Sequence, residues 1–174
     1  MKAKPCIFLD RDGVLNKERG DYTFRIEDFE ILDGVAEALQ LFKSAGYLLV
    51  VITNQAGIAK GLYQVEDVLK CHSYLQEATG KLIDDLYFCP HHPVKTESLL
   101  RKPDSLMLEK AIAKWNIDVE SSYMIGDSDR DLISATKVGV KGLLVQSSKV
   151  SELVPKKEQH ASLLAAAQYI LAQD

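Results

Sequence analysis

The chain predicts an α/β fold: a three-layer, Rossmann-like parallel sheet with helices on both faces, in a single domain over residues 1–174. Two observations carry this. Short apolar runs alternate with longer amphipathic ones, and the short runs are apolar throughout, as strands buried on both faces are. The short runs also end in polar residues, and in such sheets ligands sit at the carboxyl ends of the strands, where the strand order reverses. A length of 174 residues suffices for one well-buried core and not for two large ones.

Taken in order, "CIFL" at 6–9 reads as a buried strand that stops abruptly in "DRDG". Residues 35–45 have helical spacing, with Val35, Leu39 and Phe42 on one stripe, and stop at Gly46, a favoured helix end. "YLLVVIT" at 47–53 is a second strand, closed by "NQAGIAKG". Residues 65–78 are helical and punctuated by Gly80, and "LYFC" at 86–89 is a third strand. Pro103 and Asp104 mark the start of a helix over 105–115. "SYMIGD" at 122–127 reads as a strand, 131–138 as a helix and "GLLVQ" at 142–146 as a strand. An alanine- and leucine-rich helix over 160–172 closes the series. There is no internal repeat and no low-complexity segment.

Composition narrows the function classes. Hydrophobic residues at 47% and charged residues at 26% are ordinary for a soluble globular protein. A net charge of -4 argues against a nucleic-acid partner, because phosphate backbones select for basic faces. No apolar run approaches the roughly 18 residues needed to span a bilayer, so no membrane partner is expected. The opening "MKAKPCIFLD" reaches Asp10 too soon to read as a signal peptide. Cys6, Cys71 and Cys89 are too few and too scattered for a disulfide framework. The expected location is the cytoplasm and the expected state a monomer.

The polar strand ends form a coherent chemical set. In "FLDRDGVLN", Asp10 and Asp12 lie one residue apart just past a buried strand, and Gly13 lets the backbone turn at once. Such a pair can bond local backbone N–H groups in a turn, or provide a nucleophile, a neighbouring acid/base and a hard-cation site. In "MIGDSDRD", Asp127 follows another buried strand and Asp131 lies one helical turn on. Acidic residues there can simply favour a helix N-terminus. Converging with the first pair, however, they would repel one another without a cation, and oxygen ligands suit Mg²⁺. The Thr53 hydroxyl and the Lys102 ammonium can hold phosphoryl oxygens and offset their charge.

"DRDG" after a strand, a threonine ending the next strand, a lysine before a helix and "GDSDRD" after a later strand together resemble the haloacid dehalogenase (HAD) superfamily of phosphotransferases. The resemblance spans Asp10 to Asp131 and implies an HAD-like fold. It implies that Asp10 is the nucleophile that becomes an aspartyl phosphate, and that Asp12 protonates the leaving alcohol and then activates water. It also implies Mg²⁺ held by Asp10, Asp127 and the backbone carbonyl of Asp12, with Asp131 in support and Thr53 and Lys102 positioning the phosphoryl group. The stretch from Asp12 to the helix near Val35 is only flap-sized, and 53–102 holds no room for an inserted unit, so no cap domain is expected.

"FLDRDGVLN", "ITNQAGIAKG" and "CPHHP…RKP" are similar to the branch that holds the heptose bisphosphate phosphatases and the histidinol-phosphate phosphatases. Asn16, "GDY" and "AGIAKG" are more similar to the heptose enzymes. That likeness implies removal of the C7 phosphate of D-glycero-D-manno-heptose 1,7-bisphosphate, feeding nucleotide-activated heptose synthesis for surface polysaccharide. Histidinol phosphate, or another small phosphate ester, is the alternative substrate. Arg19, Gly20, Asn54, Gln55 and Arg101 would contact the phosphorylated sugar, an arginine fork suiting a second phosphate. A phospho-receiver domain is a poorer match, since receivers take phosphate at the end of the third strand and lack D-x-D on the first. A pure binder would have no use for Asp12.

The stretch "FCPHHPVKTESLLRKP" at 88–103 departs from the zinc loop of those relatives. A structural zinc needs four closed N/S ligands, and Cys89, His91 and His92 supply at most three. Ser98 and Leu100 stand where the second cysteine pair would be, and Ser128 where a substrate-binding lysine would be. The expectation is a loop without zinc, packed down by Leu99 and Leu100, that delivers Arg101 and Lys102 to the site.

Overall fold

The computed structural model describes residues 3–145 and 151–173. Among these residues six strands, all parallel, form one sheet in the order β3-β2-β1-β4-β5-β6. They are β1 (Cys6–Leu9), β2 (Leu48–Asn54), β3 (Asp85–Cys89), β4 (Tyr123–Gly126), β5 (Lys141–Val145) and β6 (Gln159–His160). Five helices accompany them: α1 (Val35–Ser44), α2 (Val65–Ala78), α3 (Leu106–Trp115), α4 (Asp129–Thr136) and α5 (Leu163–Leu171).

Alternation along the strands sorts the core into two layers. On one face Ile7, Leu9, Leu49, Val51 and Ile125 meet α1 and α5, whose contributions include Leu39, Phe42, Leu163 and Ile170, with Cys71 and Leu75 of α2. On the other, Phe8, Val50, Ile52 and Met124 meet Met107, Leu108 and Ala111 of α3 and Ala135 of α4. Phe8 and Phe42 are fully buried, and truncating either to alanine would cost about 3–5 kcal/mol. Covered on both faces, β1 can be apolar at every position and β2 from Leu48 to Ile52, which is the pattern the sequence shows.

Most boundaries fall within a residue or two of expectation. The largest shift is in α5, which starts at Leu163 and not at 160, and α4 starts at Asp129 and not at 131. Ser128 precedes the helix in extended conformation, and its backbone N–H donates to Asp131 Oδ2 at 3.2 Å, so Asp131 sits inside the first turn. The pattern did not reveal β6, a two-residue edge strand too short to carry a period, nor the single 3₁₀ turns at Ile26–Asp28 and Lys156–Glu158. Gln146, expected to end a strand, lies outside the described residues. Residues 10–34, 55–84 and 90–105 carry one 3₁₀ turn, α2 and loops, with no inserted domain. No helix among the described residues is long and apolar enough to cross a membrane.

The strand order changes direction between β1 and β4. Successive connections run outward from β1 through β2 to β3, and then outward from β4 through β5 to β6. The loops after β1 and β4 therefore diverge, and a crevice opens at their carboxyl ends.

Candidate active site

Asp10 is the first residue past β1, and its backbone N–H donates to the carbonyl of Ile125 on β4, which places it at the crevice. Asp127 is the first residue past β4. Oxygens from Asp10, Asp127 and Asp131 lie within 4.8 Å of one another. Two glycines permit this approach. A side chain at Gly13, which has φ +83°, would put its Cβ 2.4 Å from Asp127 Oδ2. A side chain at Gly126 would put its Cβ 2.3 Å from Asp131 Cβ. Both distances are far below contact, so both positions are closed to larger residues.

Lys102 is the counter-charge. Its side chain is buried, and its Nζ lies 2.9 Å from Asp10 Oδ1 and 2.6 Å from Asp131 Oδ1 while donating to the Ile52 carbonyl at 2.8 Å. Burial alone would lower its pKa, but Asp10 and Asp131 outweigh that and hold it above the usual lysine value. Asp10 is raised to about 7, chiefly by burial and next by Asp131, with Lys102 opposing. Asp127 is raised by burial and by Asp131, against the pull of Arg130 and Lys102. The trio holds more negative charge than one ammonium offsets.

A divalent cation fits that surplus. The donor set is all carboxylate oxygen, the preference of Mg²⁺, and Asp127 Oδ1 is buried with no hydrogen-bond partner among the described residues. Asp131 is the most committed of the three, since Oδ2 accepts from the Ser128 hydroxyl at 2.9 Å and Oδ1 faces Lys102. The carboxylate of Asp12 stands outside the trio. It faces Arg11, Asn16 and Gln55.

The cluster lies under a cleft of about 380 Å³. Asp10, Asp12, Thr53, Asn54, Gln55, Gly20 and Arg101 all reach its wall. Thr53 is buried at the end of β2, where its hydroxyl accepts from Gln55 Nε2 at 2.9 Å. Asn54 exchanges two hydrogen bonds of 3.1 Å with the backbone N–H and carbonyl of Lys102, so its amide anchors the loop that delivers the lysine. Arg19 does not line the cleft, because its guanidinium pairs with Asp28 at 2.6 Å.

Other residues at the wall were not expected there from the sequence. Arg130, on the first turn of α4, and His92 both line the cleft. Arg11 lines it while being only 2% exposed. Tyr63 supports the wall by donating to Gln55 Oε1 at 2.8 Å and stacking on Phe24 at 4.9 Å. The "DRD" and "DSDRD" spellings contained Arg11 and Arg130, but an arginine between acids reads equally well as a solvated charge.

The 88–103 stretch resolves into separate contacts. Cys89 is fully buried at the end of β3, the His91 ring bonds the Ser98 hydroxyl at 2.8 Å, and His92 Nδ1 accepts from the Val94 N–H at 3.2 Å. Leu100 packs on the α3 side of the core, as expected. Leu99 does not pack, being 67% exposed, because the turn that buries its neighbour points it to solvent.

Fold and site together define an HAD-type hydrolase, and residues 99–170 match the HAD-hydrolase-like family model. The chain is 38% identical to the D-glycero-beta-D-manno-heptose-1,7-bisphosphate 7-phosphatase of Haemophilus ducreyi, over 93% of each chain. It is 39% identical to the D-glycero-alpha-D-manno-heptose-1,7-bisphosphate 7-phosphatase of Burkholderia mallei, over 78% of this chain and 76% of that one. Among solved structures it resembles the D,D-heptose 1,7-bisphosphate phosphatase of B. bronchiseptica complexed with magnesium and phosphate. There the TM-score is 0.87 and the identity 26%, over 98% of this chain and 99% of that one. The chain belongs to the D-glycero-D-manno-heptose-1,7-bisphosphate 7-phosphatase family of HAD hydrolases.

Proposed function

We propose that this chain is a Mg²⁺-dependent phosphomonoesterase that removes the C7 phosphate of D-glycero-D-manno-heptose 1,7-bisphosphate through an aspartyl phosphate on Asp10. The observation that carries this reading is the meeting of Asp10, Asp127, Asp131 and Lys102 at the floor of one cleft whose wall holds Arg101 and Arg130. A carboxylate nucleophile beside a buried ammonium and a cation-hungry trio suits a phosphoryl group at the floor. Two arginines at the wall suit a second anionic group on the same small molecule.

The steps follow from positions. A carboxylate oxygen of Asp10 attacks phosphorus, the bond from phosphorus to the C7 oxygen breaks, and that oxygen takes a proton from Asp12. A water then attacks the aspartyl phosphate and gives a proton to Asp12, which releases inorganic phosphate and restores Asp10. The Thr53 hydroxyl donates to a phosphoryl oxygen, the buried Lys102 ammonium offsets the phosphoryl charge from beneath Asp10, and Arg101, Gly20 and Gln55 face the sugar. Asp10, Asp127 and the backbone carbonyl of Asp12, with Asp131 in support, would hold Mg²⁺, whose charge would let a phosphate dianion approach a carboxylate. On this proposal the protein acts in the making of nucleotide-activated heptose, in the cytoplasm, as a single domain and a monomer.

The test is phosphate release, with kcat/KM measured for both anomers of the heptose bisphosphate and for histidinol phosphate. A heptose preference supports the reading. A histidinol phosphate preference of tenfold or more overturns it, and Glu18 and Asp21 at the cleft wall would then be the partners of the substrate amine.

A further inference from the structure

We propose that Arg11 is a positioning residue for Asp12, and that Oδ2 is the Asp12 oxygen that gives and takes the proton. This rests on the phosphatase reading above, in which Asp12 serves the leaving group.

Arg11 stands between the two aspartates in sequence and turns to the second. Its Nε donates to Asp12 Oδ2 at 3.1 Å and its Nη2 to Oδ1 at 2.9 Å, a fork on a carboxylate. The same Nη2 donates to the Thr23 carbonyl at 2.7 Å, and the guanidinium lies 5.4 Å over the Phe29 ring. Thr23 and Phe29 belong to the segment between β1 and α1, and Thr23 is part of the cleft wall. One side chain thus ties that segment to Asp12.

The remaining Nη1 is buried without a hydrogen-bond partner among the described residues. A buried orphan donor is costly, about 1–3 kcal/mol or more for a charged group, so stability alone gives a poor account of this arginine. Positioning gives a better one.

The donor count on Asp12 identifies the working oxygen. A carboxylate offers about four lone-pair sites, and four N–H donors face this one. Oδ1 is held by Arg11 Nη2 and Asn16 Nδ2, both at 2.9 Å, and Asn16 is fully buried away from the cleft wall. Oδ2 is held more loosely, by Arg11 Nε at 3.1 Å and by Gln55 Nε2 at 3.3 Å. Gln55 lines the cleft, so its contact is the one a substrate oxygen can replace. Arg11 and Asn16 then keep the carboxyl group in place while Oδ2 passes its proton to the departing C7 oxygen as the P–O bond breaks.

The test compares two esters. The C7 alkoxide of the sugar needs that proton, whereas p-nitrophenolate leaves without one. kcat/KM for each ester is measured for wild type, R11Q and R11K, because it reports the first phosphoryl transfer and not the later hydrolysis. R11Q should lose at least tenfold more on the heptose bisphosphate than on p-nitrophenyl phosphate, and R11K should recover part of the difference. Equal losses on both esters would mean that Arg11 is merely structural and would overturn the inference. Should R11Q fail to fold, the same comparison between R11K and wild type decides. A wild type inactive on phosphate esters would sink the phosphatase reading as well, which separates the two failures.

Discussion

Lys102→Met is the substitution with the most to say about how this site holds together. Methionine keeps the length and apolar stem of the side chain and removes only the ammonium. Asp10 and Asp131, now 2.9 and 2.6 Å from that charge, would be left facing each other and Asp127 in a buried space. Removing one partner of a buried ion pair costs about 3–5 kcal/mol. Asp10 can limit the loss by taking up a proton, and its pKa, about 7 with Lys102 in place, must rise further without it. Because that folded-state value lies above the ordinary carboxyl range, ionising Asp10 weakens folding as pH rises from about 4 to 7. In the variant the loss continues above 7, so the deficit should be largest in alkaline buffer. Thermal unfolding in EDTA at pH 8 should show a Tm lower by roughly 6–20 °C, at 2–4 °C per kcal/mol for a chain of this size. Saturating Mg²⁺ should restore more stability to the variant than to wild type, since it supplies the missing positive charge; at a hundredfold excess over Kd the gain is about 2.7 kcal/mol. A variant within about 1 kcal/mol of wild type in EDTA at pH 8 would refute Lys102 as the counter-charge of the cluster.

Asp10→Asn should abolish turnover, by on the order of 10³-fold or more. It should also raise the metal-free Tm at pH 8 by the equivalent of about 1–3 kcal/mol, a gain that fades as pH falls below 7 and the native Asp10 protonates. Lost activity with lowered stability at pH 8 would contradict the electrostatic picture. Gly126→Ala places a methyl group 2.3 Å from Asp131 Cβ. Isothermal titration should find Mg²⁺ affinity reduced at least tenfold, with about 1–3 kcal/mol of stability lost to overpacking. Mg²⁺ affinity of the native chain should weaken roughly tenfold per unit as pH drops below 7, because a protonated Asp10 must release its proton to bind. A flat profile between pH 5 and 7 would argue against Asp10 as a ligand. Metal analysis of the purified protein should find no stoichiometric zinc, since His91 and Ser98 satisfy each other in the loop that would hold it. One zinc per chain would overturn that expectation.

Much of the architecture was legible because its cause is local. A strand buried on both faces is apolar along its covered length, so "CIFL" and "LLVVI" announce themselves, and an aspartate just past such a run has nowhere to lie but the carboxyl edge of the sheet. Asp10, Asp127 and Thr53 could be read as one edge for that reason, whereas Lys102, far along a loop, joined them only through the set and the family it resembles. The edge strand Gln159–His160 escaped notice because two residues have no period. The acidic residues after Gly126 suit a helix start, yet only the fold puts Ser128 ahead of α4 and shows that Asp131 closes that start and faces Lys102 at once.

What the sequence determined by itself is therefore the list of charges and the edge on which they must appear. Tertiary structure decided their pairing. It turned the carboxylate of Asp12 away from the trio and toward Arg11, spent the Asn54 amide on the Lys102 backbone, and tied Arg19 to Asp28 away from the cleft. It also brought Arg130 and His92 to the wall. The physical reason is one of range. Burial and strand period act between neighbours in the chain, whereas an ion pair such as Lys102 with Asp10 joins groups that only the closed sheet brings within 2.9 Å.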